Sequence, residues 1–543
     1  MRKWIKRAAA LCLTLCLFLN GAACGGDKTA NAVITYGMDE RPTTLDPQLA
    51  SSETEQTMVR NLFEGLFRLD AGGNIVEGAA ESYTLSDDGL TYTFTLREAV
   101  WQDDTPVTAA DFVFGLQRAV DPVTKAPYGS LLSAVDGAPA ILAGSAAVDT
   151  LGVTAVDEHT LTIRLHEPDP DFPMVLTLAV SMPCNEAFFQ KAAGAYGRNL
   201  DATASNGSFT LYRWEEDATI RLNRNKKYSG PFPAKPAAVV FATGREKQTN
   251  DPDADLSDTA YRLARLEDGT LDAGKIDNSQ ASALSAEGFS ITAYEDTCWA
   301  VAVNPNTEIG TADMQKALRE SINRNVCDTA LPGYFTRADR YLPESLTLRG
   351  EAYKEIQPLQ YAFPYDPADA RAILAETTEN QKNGRLPSVT LLYADEPGME
   401  EAASVIAQQW QQNMGLYCNI EGRSRSSLQS AVAAGEYQMA LVPLSAGDNT
   451  VQSFFKQFTE GGPYAGFTDS TFAELMGGMT GSLSDEALLQ LAGQTENQLL
   501  SYTGLTPVFF SSSAFAQSPQ MQDLQIQPFS GRADFAFAGR LPD

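Results

Sequence analysis

Apolar residues between Thr54 and Asp70 fall at Met58, Val59, Leu62, Phe63, Leu66 and Phe67. That spacing of three and four puts them on one face and predicts a helix across the segment. From Ser82 to Arg97 the rhythm shortens to an alternation on both sides of Asp88-Gly89, which predicts a hairpin turning at that pair. Thr108 and Asp111 form a capping box ahead of an apolar run, so a helix is expected over Asp111 to Val120, ending at Asp121-Pro122. Leu161, Ile163 and Leu165 alternate with polar residues. His159 to His166 is therefore expected as a half-buried strand with both histidines toward solvent.

Further along, strand and helix patterns take turns. Strands are expected at Val389 to Tyr393, Leu416 to Ile420 and Tyr437 to Leu444, and helices at Met399 to Met414 and Ser426 to Ala434. Such alternation predicts an α/β lobe with parallel strands. Ligands of such sheets lie beyond the carboxyl ends of the strands, which makes Leu444 to Thr450 a candidate site. Asp366 and Pro367 suit the cap and first position of another helix. No internal repeat or long low-complexity linker interrupts the chain, so its domains are expected to interleave.

The 543 residues exceed what one core can hold and imply three or four units. A net charge of −29 argues against a nucleic-acid binder and against broad adhesion to an anionic membrane. Only two histidines exist, His159 and His166. A His-based metal site or a Ser-His-Asp mechanism would have to use one of these strand residues, which argues against most common hydrolases. No metal or other cofactor is expected.

Arg2, Lys3, Lys6 and Arg7 precede an apolar run from Ala8 to Leu19, followed by Gly21, Ala22, Ala23 and Cys24. This is the order of a secretory signal, with an apolar run too short to span a bilayer. The small residues before Cys24 resemble the lipobox of a bacterial lipoprotein, although Gly21 stands where Leu is usual. Residues 1–23 are thus expected to be a removed signal peptide, Cys24 the lipidated first residue, and 24–32 a flexible tether. The protein would sit on the outer face of the cytoplasmic membrane. Cys184, Cys298, Cys327 and Cys418 are far apart and form no CxxC motif, so buried free thiols are expected.

Several segments carry a family likeness: RPTTLDPQLA (Arg41 to Ala50), NLFEGLFRLD (Asn61 to Asp70) and the long stretch Glu81 to Pro122. Leu151 to Phe172, Asn206 to Tyr228 and Asp313 to Arg324 follow in the same order. The chain resembles the extracytoplasmic solute-binding proteins of peptide-type ABC importers, and its oligopeptide-binding branch in particular. The resemblance implies an α/β, two-lobed clam-shell fold of the periplasmic-binding-protein kind, with an extra α+β domain inserted in the first lobe. Lobe I would comprise about 30–63, 185–297 and 507–543, the extra domain 64–184, and lobe II 298–506.

The resemblance also implies site residues. The branch has an ADYN-type loop on lobe II whose Asp pairs with the peptide's amino group. Here the loop reads Ala446-Gly447-Asp448-Asn449, with the acid one place later. Asp448, Asn449 and Ser445 are candidates on that lobe, and Ser51, Ser52, Glu53 and Thr54 form the strip that runs beside the peptide on lobe I. The Gly-Trp-Cys strand of the branch becomes Pro443-Leu444-Ser445, and proline has no N–H to give. The cysteine that in some relatives pairs with a match of Cys298 is replaced by Ser445. Leu441 and Met399 stand where basic residues grip peptide carboxylates. Trp101 and Trp299 are either pocket or core aromatics, and Arg221, Arg224, Lys226 and Lys227 read as a solvated hairpin.

The expected function is capture of an oligopeptide outside the membrane and its delivery to ABC permease subunits by a monomer that touches the membrane through its lipid alone. No catalytic group is required, so the chain is not expected to be an enzyme. A non-peptide solute or a signalling peptide is the alternative within binding. An acid hydrolase is the reading of another class, but carboxylate pairs such as Asp39-Glu40 arise by chance among 69 acidic residues.

Overall fold

The computed structural model describes residues 32–541, apart from residue 39 and the segments 215–218, 243–257, 358–362, 382–383, 385–387, 460–461, 480–482 and 528–532. The expected signal peptide, the lipidated Cys24 and all but the last residue of the tether lie outside the described residues.

One sheet ties the chain together. Its strands are β1 (Val33–Gly37), β2 (Phe209–Trp214), β3 (Thr219–Arg224), β4 (Ala238–Ala242), β5 (Ala273–Ile276), β6 (Ser290–Val303), β7 (Val389–Ala394), β8 (Cys418–Arg423), β9 (Met439–Ser445) and β10 (Leu505–Gln517). Their spatial order is β8-β7-β9-β6-β10-β5-β1-β4-β3-β2, and the short strand Thr336–Arg337 pairs with β10 off this path. β1 is parallel to β4 and β5, and β7 is parallel to β8 and β9. Between these two parallel groups run β6 and β10, antiparallel to each other and to the strands that flank them.

That alternation fixes where the lobes face. β6 runs from the first group to the second, in the same sense as β5, and β9 runs the opposite way. The carboxyl ends of β5 and β9 therefore point at each other across the junction. Along β10 they are separated by the few residues between Ala514, opposite Ile276, and Ser511, which with Ser445 flanks Thr297.

Two large apolar clusters fill the lobes. One includes Ile34, Leu62, Phe94, Phe112 and Phe241; the other includes Trp299, Ile406, Trp410, Leu441 and Phe455. Each fully buried large side chain contributes about 1.5–3 kcal/mol. Trp410 also satisfies its one polar atom, since Nε1 donates to the Leu318 carbonyl at 3.0 Å.

A four-stranded antiparallel sheet, Ala80–Leu85, Thr91–Leu96, Thr160–Arg164 and Val153–Ala155, carries the Asp88-Gly89 hairpin. Its core is continuous with that of the first lobe. Phe67 meets Phe94 edge-on at 5.5 Å, and buried Arg118 holds Asp46 at 2.6 Å.

Most expected elements form. The helices Ala109–Val120, Pro367–Glu379, Met399–Asn413 and Arg425–Ala434 are present, the first with the Thr108–Asp111 capping box and the second with Asp366 as cap. Two expectations need correction. The helix that starts near Thr54 spans Glu53–Leu62, and Phe67–Leu69 is a strand paired with Ile75–Glu77. The side chain of Asn206 accepts from the Glu64 N–H and donates to the Glu64 carbonyl, drawing the chain away from the helix axis. His159 and His166 flank the strand rather than sit on its face; the first is half-buried and the second exposed. Cys184, Cys298 and Cys327 are buried free thiols, and Cys418 is half-buried and free.

Candidate ligand-binding site

A cavity of about 550 Å3 lies at the junction, bounded by the carboxyl ends of β5, β7, β8 and β9 and floored by β6 and β10. Its size is in the usual range of ligand pockets, about 300–1,000 Å3. Its position is the one that open α/β sheets reserve for ligands.

Lobe I supplies Ser51 and Glu53 at the start of the helix Glu53–Leu62, and Lys275 to Asn278 from the end of β5. Ser52 caps that helix, accepting from the Glu55 N–H. Buried Glu55 fixes the entering chain by accepting from the N–H groups of Thr43, Thr44, Ser51 and Ser52 and the hydroxyl of Thr43. Burial pushes its carboxyl up, but the bonds from Ser51, Thr43 and Ser52 outweigh it and hold it below the ordinary value. Lys275 pairs with Glu53 at 3.0 Å. Asp277 is engaged locally, accepting from the Ser279 N–H.

The floor is polar. Ser511, Ser512 and Ser513 line it from β10, and Asp296 and Thr297 from β6. The two strands change register between Glu295 and Thr297, so Asp296 is the extra residue of a β-bulge. Bulges re-aim a side chain and release it from the ladder. The Trp299 ring forms an aromatic wall, 6.2 Å from Phe509, which stacks on Phe335 at 4.5 Å. Trp299 Nε1 donates to the Ser511 hydroxyl.

Lobe II closes the cavity with Glu396 and Pro397 after β7, Arg425 after β8, and Ser445 to Gly447 after β9. Arg425 grips Glu396 through two hydrogen bonds of 2.6 and 2.7 Å and lies 5.3 Å from the Trp299 ring centre. Four carboxylates and two cations thus share the cavity wall, so a bound cation is electrostatically favoured over an anion.

Of the residues expected from sequence, Ser51, Glu53 and Ser445 meet in this cavity. Ser52 serves as a helix cap, and buried Thr54 lines a small neighbouring crevice. Asp448 and Asn449 are elsewhere. Asp448 is 5% exposed and turns back on its own loop, accepting from the Thr450 N–H and hydroxyl. It borders two side cavities, whereas Gly447 faces the central one. The Asn449 carbonyl accepts from the Thr347 N–H. Leu441 and Trp101 are core, and Met399 is a buried part of the wall. Pro443 is tolerated because β9 pairs with β7 only as far as Ala440. Opposite Cys298 in the ladder stands Leu444, while Ser445 faces Thr297.

Lys275, Asp296, Glu396 and Arg425 were not anticipated. The carboxyl-end rule that singles out Leu444 to Thr450 applies equally to the ends of β7 and β8 and would have found Glu396 and Arg425. Asp296 had no such signal, since a bulge inside a strand leaves no mark on the alternation.

The comparisons agree with this architecture. The family described as "Bacterial extracellular solute-binding proteins, family 5 Middle" matches residues 74–466. The Dipeptide-binding protein of Lactococcus lactis subsp. cremoris is 26% identical over 548 residues, covering 96% of this chain and 97% of its own. The Oligopeptide-binding protein OppA of Bacillus subtilis is 23% identical over 551 residues, 98% of each chain. The crystal structure of Haemophilus influenzae OppA in complex with RPPGFSPFR superposes with a TM-score of 0.77 at 23% identity, over 94% of this chain and 99% of that one. With its parallel strand ends opposed across a polar cavity, the chain belongs to the bacterial extracellular solute-binding proteins of family 5.

Proposed function

We propose that this protein is the binding component of an ABC importer, which takes a short oligopeptide into the junction cavity and hands it to permease subunits. Lipid on Cys24 would hold it at the outer face of the membrane. The observation that carries the reading is the cavity itself. Its floor presents serine and threonine hydroxyls between two lobes that share the long strands β6 and β10, so a ligand can be enclosed and later released by lobe movement. Ser51, Glu53 and Ser445 would border the ligand. Relatives named for dipeptide and oligopeptide binding support the substrate class. Binding asks for no bond-making step, and the cavity's charged groups serve to orient a ligand.

Native mass spectrometry of protein purified from cells and then offered a casein digest should show retained peptides, released unchanged on denaturation. Cleaved products, or no retained peptide, would count against the reading. The anchor has its own test. Cys24→Ser should move the protein from the membrane fraction to the medium or periplasm, and soluble wild-type protein would remove the anchor.

A further inference from the structure

We infer that Asp296 is the counter-ion for a primary ammonium on the ligand, so that the protein selects solutes with a free amino group at the floor of the junction cavity. The inference rests on the reading of this cavity as the ligand site.

Three observations meet at Asp296. It is the bulged residue of β6, freed from ladder pairing where the strand passes from one lobe to the other. It is 8% exposed, yet it lines the cavity. No ion pair engages it among the described residues. The cavity's two cations are held elsewhere: Lys275 by Glu53 at 3.0 Å, and Arg425 by both oxygens of Glu396. The partners of Asp296 are neutral. The Thr297 hydroxyl donates to Oδ1 at 3.0 Å, and Ser513 contributes a second hydrogen bond.

A buried carboxylate without a cation is costly, and a protein retains one where a ligand completes it. Burial, the largest influence, pushes its carboxyl up, while the Ser513 and Thr297 hydroxyls and the charge of Lys275, itself paired with Glu53, act the other way. An ammonium has three donors, which suit the carboxylate and the serine hydroxyls of the same floor. Of the other carboxylates on the wall, Glu53 and Glu396 are paired with Lys275 and Arg425, and Asp277 accepts from the Ser279 N–H.

The test offers a casein digest to wild type and to Asp296→Asn, once with free amines and once after acetylation of every amine with acetic anhydride. A mixture of primary alkylamines and diamines is offered separately, and native mass spectrometry counts what is retained. Expected is retention of the free-amine digest by wild type, loss of the acetylated one, and a decrease of about a hundred-fold for free amines in the variant. The empty variant should melt no lower than wild type, since it loses an unpaired buried charge. Equal retention of free and acetylated peptides, or unchanged binding by the variant, would overturn the inference while the peptide reading stands. Retention of simple amines through Asp296 without any peptide would reverse that outcome. Retention of neither would overturn both. The comparison of free with acetylated digest is already decisive in wild type, so a poorly folding variant does not blunt the test.

Discussion

Single carboxylates in this protein do three different jobs, set by what surrounds each. Glu55 is a clamp. It is buried 3% exposed and accepts five hydrogen bonds that hold the 43–52 segment onto the helix Glu53–Leu62. Hydrogen bonds to a charged group contribute about 1.5–3 kcal/mol each, and one acceptor oxygen is lost in Gln. Glu55→Gln should therefore destabilise the protein by about 2–4 kcal/mol in urea unfolding. Its folded pKa lies below the unfolded one, so its contribution is complete above the unfolded carboxyl value of about 4.3 and disappears as pH falls through the lower folded value. The variant should narrow its gap to wild type in that acid window and keep it at neutral pH. A gap independent of pH would reduce Glu55 to a packing residue. Asp534 is a second kind, a fully buried acid held below its ordinary range against burial by Arg68 and Arg60. Asp296 is the third, buried without a cation of its own.

At the scale of elements, the loop after β9 shows how one residue of register separates two roles. Asp448 orients the turn, and Thr450, which it holds, caps the helix Val451–Lys456 by accepting from the Ser453 N–H. Asp448→Ala should cost about 1–2 kcal/mol of stability and leave any preference for amine-bearing ligands in place. Gly447, one residue earlier, faces the cavity, and a Cβ there would meet only the Ser453 hydroxyl at 3.6 Å. Gly447→Asp should add a carboxylate to the rim and tighten binding of a cationic solute roughly tenfold by calorimetry. The opposite pattern in the two variants would return the ligand contact to Asp448. The same loop shows what sequence can read. Strand ends at β7, β8 and β9 and the helices between them follow from local period and caps, so lobe II was legible to within a few residues. The helix expected through Asp70 stops at Leu62 because Glu64 is claimed by Asn206, 142 residues away, where the chain runs so close to the Leu176 carbonyl that a Cβ at Gly65 would lie 3.1 Å from it. Side-chain alternation cannot report a partner so distant, nor a bulge such as that at Asp296.

The whole molecule is two lobes sharing β6 and β10, and any relative movement must pass through those strands, where the bulge at Asp296 already breaks the ladder. A second link joins the lobes through side chains. Gln452, from the lobe II helix, donates to Asp171 Oδ2 at 3.1 Å, next to Phe172 of the other core. Asp171 is pushed up to about 6, first by burial and then by the charges of Asp169 and Asp448, with Arg349 and Gln452 acting against them. Lys456, His166 and Glu167 border the same side cavity. When the lobes part, Asp171 loses the burial that lobe II supplies and the Asp448 charge, and it falls from its raised value toward the ordinary one of about 3.9, with Asp169 still beside it. A group whose pKa is raised in the joined state favours that state fully below the separated value and loses the effect as pH rises through the raised one. Closing should thus be strongest below about pH 4, weaken as pH rises toward and past about 6, and level off above. Energy transfer between dyes placed on the two lobes, followed from pH 4 to 8 without ligand, reads this directly. Asp171→Asn should keep the low-pH degree of closure at neutral pH and flatten the profile. A wild-type profile already flat, or one unchanged in the variant, would assign closure to the strands and the ligand alone.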